Sequence, residues 1–226
     1  MKGRCYFIVM TAIAVIVLSA CKKDSDTSND SHTSTDFVKP VITLAGQNPQ
    51  VVTQFSAVSY ADPGATALDD VNGNVAVTAS GSVNMNLAGN YTRSYTASDA
   101  AGNTAIVSRV VVVNGAAYLE GSYNVQDYTG STFNGNYTEN LNSSFTINNK
   151  IVFATFANYA YCPVYGIVSG TTITIPSQTV NCGVPSADHT FSGAGSYINN
   201  FSTFTINYTE ITNGTSATGY GVYSRN

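Results

Sequence analysis

Four carboxylates, the one imidazole outside the N-terminal tether, a late cysteine pair, a short acidic loop and a tyrosine-rich stretch are the parts of this chain that could do chemistry. Asp127, Glu139, Asp188 and Glu210 all stand in the second half. Two of them brought together would supply the acid and base of a glycoside hydrolase, but their spacing does not set the separation that mechanism needs. His189 directly follows Asp188, and no Gly-x-Ser-x-Gly elbow is present to carry an activated serine. The expectation is a protein that is not an enzyme and uses no cofactor. Asp69, Asp70, Asn72 and Asn74 could offer oxygens to a calcium ion, with Asp62 and Asp99 as further candidates. The spacing is not that of an EF-hand loop, and the same residue types close turns on their own backbone, which is the favoured reading. Cys162 and Cys182 make a disulfide in an oxidising compartment. Closing a loop of about 20 residues would contribute ~3 kcal/mol through the unfolded state. A zinc site would need a full tetrahedral ligand set, and only His189 remains as a further soft ligand. Tyr159, Tyr161 and Tyr165 surround Cys162. On a stapled loop they are the candidate ligand contacts, since tyrosines stack on sugar rings or apolar molecules while their hydroxyls bond outward. The alternative is that they plug one end of the fold.

Where such residues act depends on the N-terminus. Lys2 and Arg4 precede an apolar or small-residue run from Tyr6 to Leu18, which is too short to span a membrane as a helix and has the form of a secretory signal. Leu18-Ser19-Ala20-Cys21 resembles the lipobox of bacterial lipoproteins. That resemblance implies removal of residues 1–20, acylation (palmitate included) of Cys21, and attachment to a membrane through the lipid. Residues 21–38 then read as a polar, disordered tether holding the body on average ~20–25 Å from the lipid. Lys22-Lys23-Asp24 with Asp26 resembles the charged stretch of surface-displayed lipoproteins of some Gram-negative bacteria. An outer-membrane location facing outward is the expectation, with the periplasmic face left open.

Charged residues are only 10% of the chain and the net charge is −4. No basic patch can be assembled, so nucleic acid is excluded as a partner. Tyr, Thr, Ser, Asn and Gly are abundant and Trp is absent. β-branched and aromatic residues suit pleated sheets while Gly and Asn suit tight turns, so the fold class is all-β.

From 39 to 114, short strands at Val41–Leu44, Gln50–Phe55, Val75–Ala79, Tyr91–Ala97 and Ala105–Val113 alternate with turn clusters, the pattern of a small β-sandwich. Pro40-Val41-Ile42-Thr43-Leu44, Tyr60-Ala61-Asp62-Pro63-Gly64, Gly89-Asn90-Tyr91 and Tyr95-Thr96-Ala97-Ser98-Asp99 closely resemble an immunoglobulin-like family. That family is found in insecticidal crystal toxins, surface adhesins and secreted glycan-degrading enzymes. The resemblance implies a spacer or adhesion module without catalysis.

From 115 to 226, eight strand-like runs follow: Tyr118–Gln126, Tyr137–Ile147, Lys150–Phe156, Val164–Ser169, Thr171–Ile175, His189–Ile198, Ser202–Tyr208 and Gly219–Tyr223. Asn148-Asn149 and Ser169-Gly170 read as two-residue hairpin connections. An up-and-down meander of this kind loses its edges by closing into a barrel, and a flattened sandwich is the alternative. Gly121-Ser122-Tyr123-Asn124-Val125 and the run Ser169–Gln178 resemble a lipocalin-like domain of uncharacterised lipoproteins.

Three functions follow. The first is a surface lipoprotein whose Ig-like spacer presents the second domain to a glycan or surface protein. The second is a lipocalin-like carrier of a small apolar ligand, which would show inward aromatics around a cavity of ~300 Å³ or more. The third is a hydrolase built on two of the four carboxylates.

Overall fold

The computed structural model describes residues 36–183 and 185–226. Cys21, the leader and the tether up to Thr35 lie outside the described residues.

The first domain is a sandwich of two sheets. One contains β1 (Val41–Leu44), β3 (Ala65–Asp69) and β4 (Gly73–Val75). The other has the order β2 (Gln50–Thr53), β7 (Thr104–Asn114), β6 (Gly89–Ser98) and β5 (Val77–Ser80), with β2 parallel to β7. Alternation places Tyr95, Ala97, Val111 and Val113 on the buried side. Strand β3 escapes a sequence reading because Ala65-Thr66-Ala67-Leu68-Asp69 has little apolar bulk.

Asp62, of the Asp-Pro-Gly segment, is the polar centre of this sandwich. Its carboxylate accepts from Arg93 (Nη2 at 2.9 Å), from the fully buried Arg109 (Nη1 at 2.9 Å) and from the Tyr95 hydroxyl at 2.5 Å. Burial alone would raise the Asp62 pKa, but the Tyr95 hydroxyl, the Gly64 amide and Arg93 together hold it below its ordinary value. Asp62 is thus committed to two arginines and takes no part in the acidic loop.

Strand β7 runs straight into α1 (Gly115–Leu119), a single turn capped by the Asn114 side chain, which accepts from the Ala117 amide at 3.2 Å. The chain then enters eight antiparallel strands: β8 (Gly121–Thr129), β9 (Thr132–Ser143), β10 (Lys150–Phe153), β11 (Val164–Ser169), β12 (Thr172–Cys182), β13 (Ala187–Ser196), β14 (Thr203–Thr212) and β15 (Thr215–Arg225). They close into a barrel, with β8 paired to both β15 and β9. The expected meander is therefore a closed barrel and not a flattened sandwich. Asn213 and Gly214 both have positive φ between Thr212 and Thr215, the backbone of a primed turn whose twist matches the flanking strands.

The hairpin expected at Asn148-Asn149 is instead a loop over 144–149. Ser144 Oγ accepts from the Ile147 amide at 3.1 Å and turns the chain there, so β9 stops at Ser143. Asn149 is freed for another task, accepting the Gly115 amide at 2.7 Å.

Inside the barrel, inward positions alternate along each strand and meet in one apolar cluster that includes Tyr123, Phe153, Phe156, Phe191, Phe204 and Tyr223. Neighbouring rings touch edge to face or stacked, as Phe204 and Tyr223 do at 4.8 Å between centroids. Each such side chain contributes ~1.5–3 kcal/mol by burial. These rings fill the barrel and do not line a hollow.

The two domains meet in a buried seam. Gln54, fully buried, donates to the Asn86 and Gly170 carbonyls at 2.8 and 3.0 Å and accepts from the Tyr197 hydroxyl at 2.5 Å. Ala88 and Gly170 exchange backbone hydrogen bonds at 3.0 and 2.9 Å. Gly115 is required at this crossing, because a Cβ there would stand 2.6 Å from Gln54, Tyr197 and Val168. The junction at 114–115 is thus a packed joint.

Candidate functional site

The barrel register aligns side chains from four strands on its outer wall. Asn207 on β14 faces Tyr220 on β15, Tyr220 faces Tyr128 on β8, and Tyr128 faces Phe133 on β9. Direct cross-strand partners lie close enough for long side chains to touch. Tyr128 and Tyr220 stack at 4.7 Å with 9° between ring planes, and Tyr128 meets Phe133 at 5.3 Å. Phe133 is 50% exposed, so the ladder ends in open solvent. Beside it runs a row of small polar groups: Ser192 faces Thr209, Thr209 faces Thr218, and the Thr218 carbonyl accepts from the Gly130 amide at 3.0 Å.

Between the rows lies a groove of about 410 Å³, lined by Gly130, Ser192, Gly193, Asn207, Tyr208, Thr209, Thr218, Gly219 and Tyr220. It contains no ionisable acid or base apart from tyrosine hydroxyls. Gly193 and Gly219 line it without side chains. Gly219 is fixed by packing, since a Cβ there would sit 2.5 Å from the Tyr208 ring. The arrangement offers one aromatic wall, three hydroxyls and an amide, which is the equipment for binding a neutral polyhydroxylated molecule with apolar ring faces. A second groove of about 510 Å³ follows the seam past Val110, Val112 and Ile167, but no aromatic side chain lines it.

The sequence-based expectation placed ligand contact on Tyr159, Tyr161 and Tyr165. The structure separates them. Tyr159 turns into the barrel end, donates to Glu210 Oε1 at 2.9 Å and packs its ring on His189 at 4.3 Å. Burial, reinforced by Glu210, raises its hydroxyl pKa to about 12. Tyr161 is 83% exposed on the loop, and Tyr165 lies on the outer face of β11 beneath the Lys150 ammonium, 4.3 Å from the ring centroid. They do not form one row. Cys162 and Cys182 are bonded, with Cα atoms 4.7 Å apart, and clip the loop after β10 to the end of β12.

The four carboxylates divide between interior and exterior. Asp127 is buried and accepts from the Tyr208 hydroxyl and Asn134 Nδ2, both at 2.8 Å. Glu139, fully buried, accepts from the Ala154 amide at 2.7 Å and the Thr155 amide at 3.1 Å. Burial raises its pKa to about 8 despite those donors. Glu210 Oε1 is 2.6 Å from His189 Nδ1 and accepts from Thr212 at 2.8 Å. Asp188 stands exposed on the wall and accepts from Asn181 at 2.8 Å. Asp127 and Glu139 are sealed among protein donors and Asp188 is outside, so these three share no cleft.

The acidic loop closes a turn on its own backbone, Asp69 Oδ1 accepting from the Val71 and Asn72 amides at 3.1 and 2.7 Å. Asp70 and Asn74 are exposed, and Asn72 uses its Oδ1 to accept the Ala100 amide at 3.1 Å. Only Asp69 of the four turns inward, where it meets Asp36 and Asp99.

No curated protein matches the chain. A crystal structure of a lipoprotein from Bacteroides thetaiotaomicron aligns over 81% of this chain and 98% of that one, at 16% identity and a TM-score of 0.34. Residues 42–113 match the family described as bacterial surface protein, Ig-like domain. The sandwich of this chain is thus similar to a bacterial surface-protein Ig-like domain, and the closed eight-stranded barrel that follows it is consistent with a lipocalin-like fold.

Proposed function

We propose that this protein is a lipid-anchored, non-enzymatic bacterial surface protein whose barrel binds a neutral glycan in the groove beside Tyr220. The observation that carries this reading is the cross-strand ladder Asn207–Tyr220–Tyr128–Phe133 alongside a row of hydroxyls. With Tyr128 stacked on one face, Tyr220 keeps its other face for a sugar ring, and Ser192, Thr209, Thr218 and Asn207 supply hydrogen bonds to hydroxyls. Tyrosine contact costs little side-chain entropy, and here the stacked neighbour has already removed most of it.

The Ig-like domain supports the reading as a rigid spacer, because the Gln54 seam ties its orientation to that of the barrel. The filled interior argues for surface recognition over an apolar carrier. The commitments of Asp127 and Glu139 to protein donors argue against carboxylate catalysis. The lipobox-like segment and the surface-protein domain support anchoring at the outer membrane with the barrel outward.

The test is a glycan array probed with the detergent-solubilised full-length protein. Retention of neutral oligosaccharides by the wild type and loss of that signal in Tyr220→Ala is the expected result. Exclusive retention of sulfated or uronic-acid glycans would contradict an uncharged groove.

A further inference from the structure

Three segments of the first domain bring a carboxylate to one point. Asp36 comes from the end of the tether, Asp69 from the end of β3 and Asp99 from the turn between β6 and β7. One carboxylate oxygen of each lies within 4.8 Å of the other two. Asp69 is only 3% exposed.

The hydrogen bonds at this point are lopsided. Asp69 Oδ1 accepts from the Val71 and Asn72 amides at 3.1 and 2.7 Å. Asp99 accepts from the Asn103 amide and side chain, both at 2.7 Å, and Asp36 Oδ1 accepts from the Val38 amide at 2.9 Å. Asp69 Oδ2 and Asp36 Oδ2 are buried with no donor among the described residues. No lysine or arginine of the described residues pairs with any of the three acids. Buried carboxylate oxygens without donors are costly, and three like charges at this spacing repel. One group relieves both costs, namely a cation.

The structure assigns Asp36, Asp69 and Asp99 as a calcium site that fastens the last residues of the tether to the Ig-like domain. The donor set is all oxygen, which selects a hard cation over zinc or copper. Three carboxylates fill part of a calcium shell, which waters and carbonyls complete in flexible geometry, whereas magnesium demands a tighter octahedron. Asn103 already binds both sides, donating through Nδ2 to the Asp36 carbonyl at 3.0 Å and to Asp99. The ion would extend that clasp, pinning Asp36 and the residues that follow it to the ends of β3 and β6. This inference stands apart from the glycan groove and survives or fails without it.

The experiment uses full-length protein in detergent, stripped with EDTA, then followed by thermal unfolding and calorimetric titration with CaCl₂. One calcium per chain is expected, with Kd on the order of 10⁻⁴–10⁻³ M as in extracellular modules. The melting temperature should rise at about 10 mM calcium by mass action, and less with magnesium. Asp70→Asn, outside the cluster, should keep the response. Asp69→Asn and Asp36→Asn should abolish it. Asp36 precedes every strand, so its variant tests the site even if Asp69→Asn fails to fold. A wild type indifferent to calcium would overturn the assignment, as would an Asp36→Asn protein that responds like the wild type. Loss of the response in Asp70→Asn alone would move the ion to the β3–β4 loop and overturn it too.

Discussion

Gln54 and Tyr197 lie 143 residues apart and are joined by a 2.5 Å hydrogen bond from the tyrosine hydroxyl to the amide oxygen, inside the seam between sandwich and barrel. The same Gln54 side chain donates to carbonyls of both domains, Asn86 on one side and Gly170 on the other. One buried amide thus satisfies three partners, of which the Tyr197 hydroxyl is the one shut away from solvent.

Replacement of Gln54 by Ala should leave those partners unpaired. The expected loss is about 1–3 kcal/mol, chiefly from the buried Tyr197 hydroxyl left without its acceptor. Chemical denaturation should show the lowered midpoint, with the two domains unfolding as separate transitions. A single transition of wild-type midpoint would mean that the seam does not couple them.

Glu139 sets a pH dependence. Its pKa is about 8 when folded and near 4.5 ordinarily, so between those values the folded state holds a proton that the unfolded state has released. Stability from this group is therefore complete below its ordinary pKa and falls as pH rises toward 8, by a few kcal/mol at most. Asp127, raised chiefly by burial, acts with the same sign. Melting temperatures should drop between pH 5 and pH 8, and Glu139→Gln should flatten that slope. A melting temperature that rises across this range would refute the assignment.

The Cys162–Cys182 bond closes 20 residues of sequence around the barrel end that holds Tyr159 and His189. A Cys162→Ala, Cys182→Ala double variant should lose ~2–4 kcal/mol. Because the proposed groove is on the barrel wall, glycan binding should persist in the folded double variant. Loss of binding by a still-folded double variant would point back to the stapled loop.

Much of this was legible in the residues. Alternation in Val164–Ser169 was enough to foresee a strand, and the disulfide followed from the cysteine pair left once Cys5 and Cys21 are assigned to the leader and its lipid. The all-β class and the eight-strand meander followed from the same signals. The candidate groove was not legible. Tyr128 and Phe133 fall beyond the runs that alternation marks as strands, because β8 continues to Thr129 and β9 begins at Thr132 through polar residues. Their stacking depends on register across β15, β8 and β9, which is fixed by barrel closure and not by any local pattern. The seam was hidden for a related reason. Gln54 sits one residue past β2 and looks like an ordinary polar terminus until Gly170 and Tyr197 arrive beside it.

The most direct measurement is the calorimetric affinity of the strongest neutral glycan from the array for wild type, Tyr220→Ala and Tyr161→Ala. Aromatic stacking of this kind is worth about 1 kcal/mol or more beyond its area. Tyr220→Ala should therefore weaken binding by roughly tenfold or more at unchanged melting temperature, with Tyr161→Ala and added salt leaving it intact. Equal affinity of wild type and Tyr220→Ala, or loss confined to Tyr161→Ala, would contradict the groove.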